Sequence, residues 1–309
     1  MNEKVSVLQV DNLSVSFSMY NKGLSKRDLE VIHELSIDVK KGEIVAVVGS
    51  SGSGKSLLAH AIMGILPENS KTKGSIKYYN DELNEKYLRK VRGKDIAFIP
   101  QSVDFLDPLM KVGKQVVGIN GNKERQKEVF KKYNLDDKVA EMYPFQLSGG
   151  MARRVLIATA VMNEAKLIIA DEPTPGLNLE LAIETLNNFR EIADSGCGVL
   201  LITHDVDLAL NVADRIAVFY SGTIVEIAQV EDFIKGKDAL RHPYSKAFID
   251  ALPQNKFKEL PGYQPYAGNL PKGCLFRDRC SLKTDECCME IKMRKIRDGE
   301  VRCINATWG

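Results

Sequence analysis

Short runs of aliphatic and β-branched residues recur along the first three quarters of the chain, at Ser6–Val10, Ile44–Val48, Ile96–Ile99, Lys166–Ala170, Val199–Thr203 and Arg215–Tyr220. Continuous apolar runs of this length read as strands buried on both faces. Alternating with helical stretches, they predict an α/β fold with a largely parallel sheet. Between the third and fourth runs the period becomes helical, as over Glu124–Tyr133 with Val129, Phe130 and Tyr133 on one face. A helical insert over about residues 103–160 is therefore expected. After the Ser221-Gly222 turn come a strand at Ile224–Ala228 and an acidic helix start at Val230-Glu231-Asp232. Beyond residue 235 the composition shifts, and residues 236–309 hold five of the six cysteines. This organisation predicts one unit over 1–235 and a small appendage over 236–309, stapled by something other than a large core.

Composition narrows the class. With 44% apolar and 27% charged residues the chain reads as a soluble globular enzyme. Its apolar runs fall far short of the roughly 20 residues of a membrane span. Met1-Asn2-Glu3-Lys4 carries no apolar signal core, so a cytoplasmic chain is expected. A formal charge of +2, with acids and bases interspersed, lacks the basic footprint of nucleic-acid binders, so no nucleic-acid partner is expected.

The motif Gly49-Ser50-Ser51-Gly52-Ser53-Gly54-Lys55-Ser56 follows the Ile44–Val48 strand and opens a helix over Leu57–Ile65. Strand, glycine loop and helix together specify a phosphate-binding loop. Its glycines let backbone N–H groups wrap phosphates, and the helix N-terminus favours an anion. Lys55 would reach the β- and γ-phosphates of a nucleotide and Ser56 would offer its hydroxyl to Mg²⁺, which by itself leaves kinases, GTPases, helicases and transporter ATPases open. Leu167-Ile168-Ile169-Ala170-Asp171-Glu172 is an apolar strand ending in two acids. Asp171 is placed to hold Mg²⁺, and Glu172 to orient and polarise the attacking water.

Leu147-Ser148-Gly149-Gly150-Met151, followed by a helix over Ala152–Met162, resembles the signature of ATP-binding cassette (ABC) ATPases, which reads LSGGQ or LSGGM. The resemblance implies a P-loop NTPase (RecA-like) cassette with a helical subdomain. It implies that Ser148, Gly149 and Gly150 complete the ATP site of a second subunit. Gln101, after the third strand, matches the Q-loop that touches Mg²⁺ and the membrane subunit. His204 matches the switch histidine that contacts the γ-phosphate, and Phe17 the aromatic that stacks on adenine, with Tyr20 close by. Leu57 completes the implied ATP-binding set. In the loop Pro173-Thr174-Pro175-Gly176-Leu177-Asn178 the sequence departs from the family, which usually ends this D-loop in aspartate. Asn178 keeps the size and loses the charge, which touches the relay between two ATP sites more than hydrolysis. His33, His60 and His242 have no such context and are expected to be structural or exposed.

The cysteines of the extension, Cys274-x5-Cys280-x6-Cys287-Cys288 and Cys303, suggest metal before disulfide in a cytoplasmic protein. Four thiolates can hold zinc or an iron–sulfur cluster, and reduced cysteines packing a small domain are the third reading. Here the resemblance is to the oligopeptide, dipeptide and nickel importer ATPases, through His242-Pro243-Tyr244 and on to Ala247, Leu260-Pro261-Gly262, and the cysteine pattern. It implies a [4Fe-4S] cluster, with zinc as the alternative, on Cys274, Cys280, Cys287 and Cys303. Cys288 is then a spare neighbour and Cys197 unrelated. It further implies a peripheral subunit on the cytoplasmic face of the membrane. Its expected partners are a second, paralogous ABC ATPase, two permeases and an extracytoplasmic binding protein. The expected substrate is peptide, with nickel or a metal chelate as the alternative.

Overall fold

In the computed structural model, residues 5–20, 25–50, 52–118, 121–252, 255 and 257–306 are described. The first strand is three times longer than its apolar run: β1 is Ser6–Tyr20 and pairs antiparallel with β2, Lys26–Lys40. β3 (Ile44–Val48) leaves this ribbon and is followed by α1 (Lys55–Met63), which starts and ends two residues earlier than expected. β4 (Ser70–Tyr78) then returns to lie antiparallel on β1, and β5 (Asp81–Glu82) completes a sheet ordered β2-β1-β4-β5. Register shifts at Val10/Leu13, Leu13/Val15 and Val15/Ser16 break the strict alternation by which such strands are recognised. Only Ser6–Val10 was legible for that reason.

The chain continues through α2 (Glu85–Val91), β6 (Ile96–Ile99), α3 (Val112–Val117), α4 (Lys123–Lys132), α5 (Gly149–Val161) and β7 (Leu167–Asp171). Next come α6 (Leu179–Asp194), β8 (Gly198–Thr203), α7 (Val206–Leu210), β9 (Arg215–Tyr220) and β10 (Thr223–Gln229). Helices α3 to α5, joined by 3-10 turns, fill the span between β6 and β7 where the helical insert was expected. The second sheet contains β9-β3-β8-β7-β6 in parallel, with β10 antiparallel to β9. Alternate residues of β3 feed different cores. Ile44, Ala46 and Val48 pack with the helices, including Phe130 and Phe189. Val45 and Val47 face the first sheet and α1. Burying each of these valine, isoleucine and phenylalanine side chains contributes about 1.5–3 kcal/mol. The ends of β3, β6, β7 and β8 thereby meet at one rim, where parallel α/β sheets bind ligands.

Beyond α8 (Val230–Ile234) and α9 (Pro243–Asp250), the cysteine-rich stretch ends in a hairpin, β11 (Arg294–Ile296) and β12 (Gly299–Val301). β12 pairs with β10, so the hairpin extends the main sheet. Leu240, Tyr244, Ile249 and Phe276 join the core of the helical face. The expected small appendage therefore shares sheet and core with the residues before it. A buried carboxylate, Glu226 on β10, accepts hydrogen bonds from the backbone N–H groups of Arg241 (2.7 Å) and His242 (2.8 Å) and anchors the junction.

Candidate nucleotide site

The loop after β3 is shaped by its glycines. A Cβ on Gly49 would meet the Phe219 carbonyl oxygen at 2.4 Å, and Gly52 and Gly54 hold φ of +73° and +105°. Ser51 lies outside the described residues. Gly54 is the N-cap of α1, no side chain caps it, and the first turn carries no acid. A helix end left open in this way favours an anion. Lys55 is buried, its Nζ donating to the carbonyls of Gly49 and Ser50 at 2.9 Å each. Burial lowers its pKa, while the charges of Glu172 and Asp171 pull it back up.

Asp171 ends β7 and is 1% exposed, with neither carboxylate oxygen hydrogen-bonded in ordinary geometry. Burial raises its pKa, and the Ser56 hydroxyl lies near enough to oppose that rise. A buried carboxylate of this kind needs a cation, and Asp171 with Ser56 fits a hard divalent ion such as Mg²⁺. Glu172 follows at φ +48°, a conformation costing about 1–3 kcal/mol for a non-glycine residue. Its backbone N–H donates to Ile202 of β8 at 2.9 Å. Its Oε2 lies 2.6 Å from Nδ1 of His204, and an ionised carboxylate can only accept, so the imidazole N–H donates. His204 itself is largely exposed. One cleft of about 260 Å³ is lined by Gly52, Gly54, Lys55, Ser56, Leu57, Gln101 and Glu172. Lys55, Ser56, Gln101 and Glu172 thus share one rim, with His204 held against Glu172.

Other expected residues lie elsewhere. Ser148 is the N-cap of α5, its Oγ accepting from Met151 N at 3.3 Å, and neither it nor Gly149 or Gly150 lines the cleft. Asn178 caps α6 through a 2.9 Å bond from Leu181 N, which aspartate would make equally well. Phe17 pairs with Leu29 within the first sheet and packs half-buried on its core, whereas Tyr20 is exposed. His33 sits beside Glu30, and His60 packs edge-on against Phe98. His242 is buried, caps α9 by accepting from Tyr244 N at 3.0 Å, and is driven down to about pKa 3 by burial. Ser53 is buried, and its hydroxyl has no partner.

Arg153 was missed. Its guanidinium, on the signature helix, is buried and donates to the carbonyls of Pro100, at 2.8 Å, and Gln101. It ties the signature helix to the Q-loop and feels the charges of Asp171 and Glu172. An arginine in an amphipathic helix reads as solvent-facing, so no sequence signal pointed to it.

All six cysteines are free thiols. Cys287 and Cys303 are buried, Cys274 and Cys280 half-buried and Cys288 exposed. Cys274 N donates to Cys287 O at 2.9 Å, and burial raises the pKa of Cys274, Cys280 and Cys303. Burial pushes Cys274 up to about pKa 11. Among the described residues no three His, Cys, Asp or Glu side chains converge to hold a metal ion. Cys197 is buried and pushed up to about 12 by burial, and it takes no part in the cluster.

With this geometry in place the similarities fall into line. Residues 32–175 match the ABC transporter family, and residues 225–287 match the oligopeptide/dipeptide transporter C-terminal region. The chain belongs to the ATP-binding proteins of ABC transporters, an ATPase class. It is 33% identical to the dipeptide transport ATP-binding protein DppD of Haemophilus influenzae, over 97% of this chain and 95% of that one. It is 34% identical to the probable D,D-dipeptide transport ATP-binding protein DdpD of Escherichia coli, over 98% and 96% of the two chains. Among solved structures, a dimeric bacterial ABC transporter cassette superposes with a TM-score of 0.63 at 26% identity, covering 72% of this chain and 98% of its own. An ATP-binding cassette dimer in a post-hydrolysis state, bound to ADP and Pi, gives 0.64 at 25% identity, covering 72% and 98%.

Proposed function

We propose that this chain is the ATP-hydrolysing subunit of an importer for dipeptides and short peptides. The observation that carries the hydrolytic part is the buried Glu172, fixed by His204 at 2.6 Å on the rim that holds Lys55. Lys55 and the α1 N-terminus bind the phosphates, Glu172 draws a proton from the attacking water, and His204 holds that carboxylate in place. Asp171 and Ser56 would hold Mg²⁺, which supplies charge neutralisation for the leaving phosphate when bound. Similarity to dipeptide transport proteins over nearly the whole length, extension included, supports the peptide class.

Because the signature loop lies off its own cleft, it serves a second cassette, and we assign that role to a paralogous chain. The exposed Phe105, Leu109 and Met110, just past Gln101, form an apolar surface suited to the membrane permeases. No helix of the described residues is long and apolar enough to cross a membrane. The chain is accordingly a peripheral subunit at the cytoplasmic face, beneath two permeases served by a binding protein.

We also propose a [4Fe-4S] cluster on Cys274, Cys280, Cys287 and Cys303, with zinc as the alternative occupant. The cysteine pattern supports it, as do donors aimed at sulfur: Leu282 N to Cys280 Sγ at 3.4 Å and Asn305 Nδ2 to Cys287 Sγ at 3.6 Å. Iron and acid-labile sulfide in anaerobically purified protein test it, and zinc alone or neither would sink it. The importer reading is tested by ATPase activity of the complex in liposomes with its binding protein. Stimulation by bound peptide is expected. Activity indifferent to peptide, or stimulated only by nickel, overturns the peptide assignment.

A further inference from the structure

The His-Pro-Tyr segment of the extension reaches the phosphate loop. Tyr244 is buried, its ring packed against Tyr220 at 4.4 Å and Phe276 at 5.4 Å between centroids. Burial pushes its phenol up to about pKa 12, and Ser50 lies near enough to oppose that rise. Ser50 Oγ also donates to Gln264 Oε1 at 2.9 Å. Gln264 belongs to a strap fastened on both sides of that contact. On one side Arg279, between two of the clustered cysteines, donates to the carbonyls of Pro261 (2.8 Å) and Leu260 (3.1 Å) and to the Tyr220 hydroxyl (3.3 Å). On the other, Arg27 donates to the Gly268 carbonyl at 2.7 Å. The Ser221 hydroxyl meets the Pro265 carbonyl at 3.4 Å between them.

Ser50 is thus held by Gln264 and faced by Tyr244, two residues about 200 positions away in sequence, immediately beside Gly49, whose own neighbour on the far side is the Phe219 carbonyl. A glycine-rich loop is the most pliable backbone in a protein, and its phosphate affinity depends on N–H groups held ready before the ligand arrives. We propose that Tyr244 and Gln264 are positioning residues of the nucleotide site: by fixing Ser50 they preorganise the phosphate loop, so ATP affinity depends on the extension. The proposal rests on the nucleotide reading above.

The test uses the full-length chain and its assembled transporter. Equilibrium titration with a fluorescent ATP analogue and Mg²⁺ gives Kd, and steady-state hydrolysis gives KM and kcat. Tyr244→Phe keeps the packed ring and removes only the hydroxyl. It should raise Kd and KM for ATP about three- to tenfold with kcat held, the size of one or two lost hydrogen bonds. Gln264→Ala, at a half-buried position, should raise them about twofold, and should add nothing in a Ser50→Ala background because both changes break the same bond. Unchanged Kd in Tyr244→Phe and Gln264→Ala overturns the inference, as does a fall in kcat at constant KM. A full additive effect of Gln264→Ala on top of Ser50→Ala overturns it too. If the unaltered chain binds no Mg-ATP, the nucleotide reading falls and the inference with it; if it binds normally and the variants match it, only the inference falls.

Discussion

Removing the Glu226 carboxylate should unfasten the extension. Glu226 is fully buried on β10, where Oε1 accepts from Arg241 N at 2.7 Å and Arg241 Nη1 at 3.4 Å, and Oε2 accepts from His242 N at 2.8 Å. Arg241 is itself buried and keeps Asp232, at 2.8 Å from Nη2, as its other carboxylate partner. In Glu226→Ala a buried guanidinium loses half of its compensation, and two backbone N–H groups lose their acceptor. Unmet buried donors cost about 1–3 kcal/mol each, and breaking a buried ion pair from one side about 3–5 kcal/mol. These penalties describe one event and do not add, so the loss is set at about 3–5 kcal/mol. With a urea slope of about 3 kcal/mol per molar, the unfolding midpoint should fall by about 1–1.7 M. Glu226→Gln keeps the shape and an acceptor for one N–H and should fall between. A Glu226→Ala midpoint within about 0.3 M of the unaltered protein would refute the reasoning. The junction would then be held by apolar packing alone.

Glu172→Gln should lower kcat for ATP about 10²- to 10⁴-fold while leaving nucleotide Kd within about twofold, measured by phosphate release and equilibrium binding. Comparable turnover in that variant would remove Glu172 from the chemistry. Gly49→Ala drives a methyl to 2.4 Å from the Phe219 carbonyl, which must move with the loop, so loss of ATP binding and about 1–3 kcal/mol of stability are expected. Normal binding would show the loop to be looser than its contacts. His242, pKa about 3 when folded against an ordinary 6.5, stays neutral inside while the unfolded chain takes up a proton. Stability is therefore complete above about pH 6.5 and is lost as pH falls toward 3. About 2 kcal/mol should be gone at pH 5. His242→Asn, which can still cap α9, should lack that slope in denaturant melts at pH 7 and pH 5; equal slopes would disprove the assignment.

The parts of the site that were legible in the sequence share a physical trait: each is a local pattern. The phosphate loop is a strand, a glycine turn and a helix in one stretch, and Asp171-Glu172 and His204 close buried strands whose apolar runs stand out. The structure brings Lys55, Gln101, Glu172 and His204 to one rim because parallel strands end there together. What stayed hidden depended on partners far away in sequence. β2 and β4 were invisible because an antiparallel sheet with register shifts loses its period-two signature. Arg153 was invisible because nothing local distinguishes a buried guanidinium from a solvated one.

The extension shows the same division. Its cysteines and its His-Pro-Tyr segment were conspicuous, and they suggested a unit standing apart. Yet β12 pairs with β10, Phe276 packs edge-on against Tyr220, and Tyr244 reaches Ser50. Arg279 lies within the cysteine pattern and also clamps the strap that carries Gln264. A continuous chain of contacts therefore runs from the cysteines through Arg279, Tyr220 and Tyr244 to the phosphate loop. Anything that reorders the cysteine loop, whether loading a metal centre or oxidising its thiols, would have to move Arg279, and Arg279 cannot move far without releasing the strap. Replacing Arg279 by lysine keeps the charge but loses the fork that spans Leu260, Pro261 and Tyr220 at once. It should therefore weaken ATP binding in the same direction as Gln264→Ala. An Arg279→Lys chain with unaltered ATP Kd would break the connection at that link while leaving the Tyr244 contact standing.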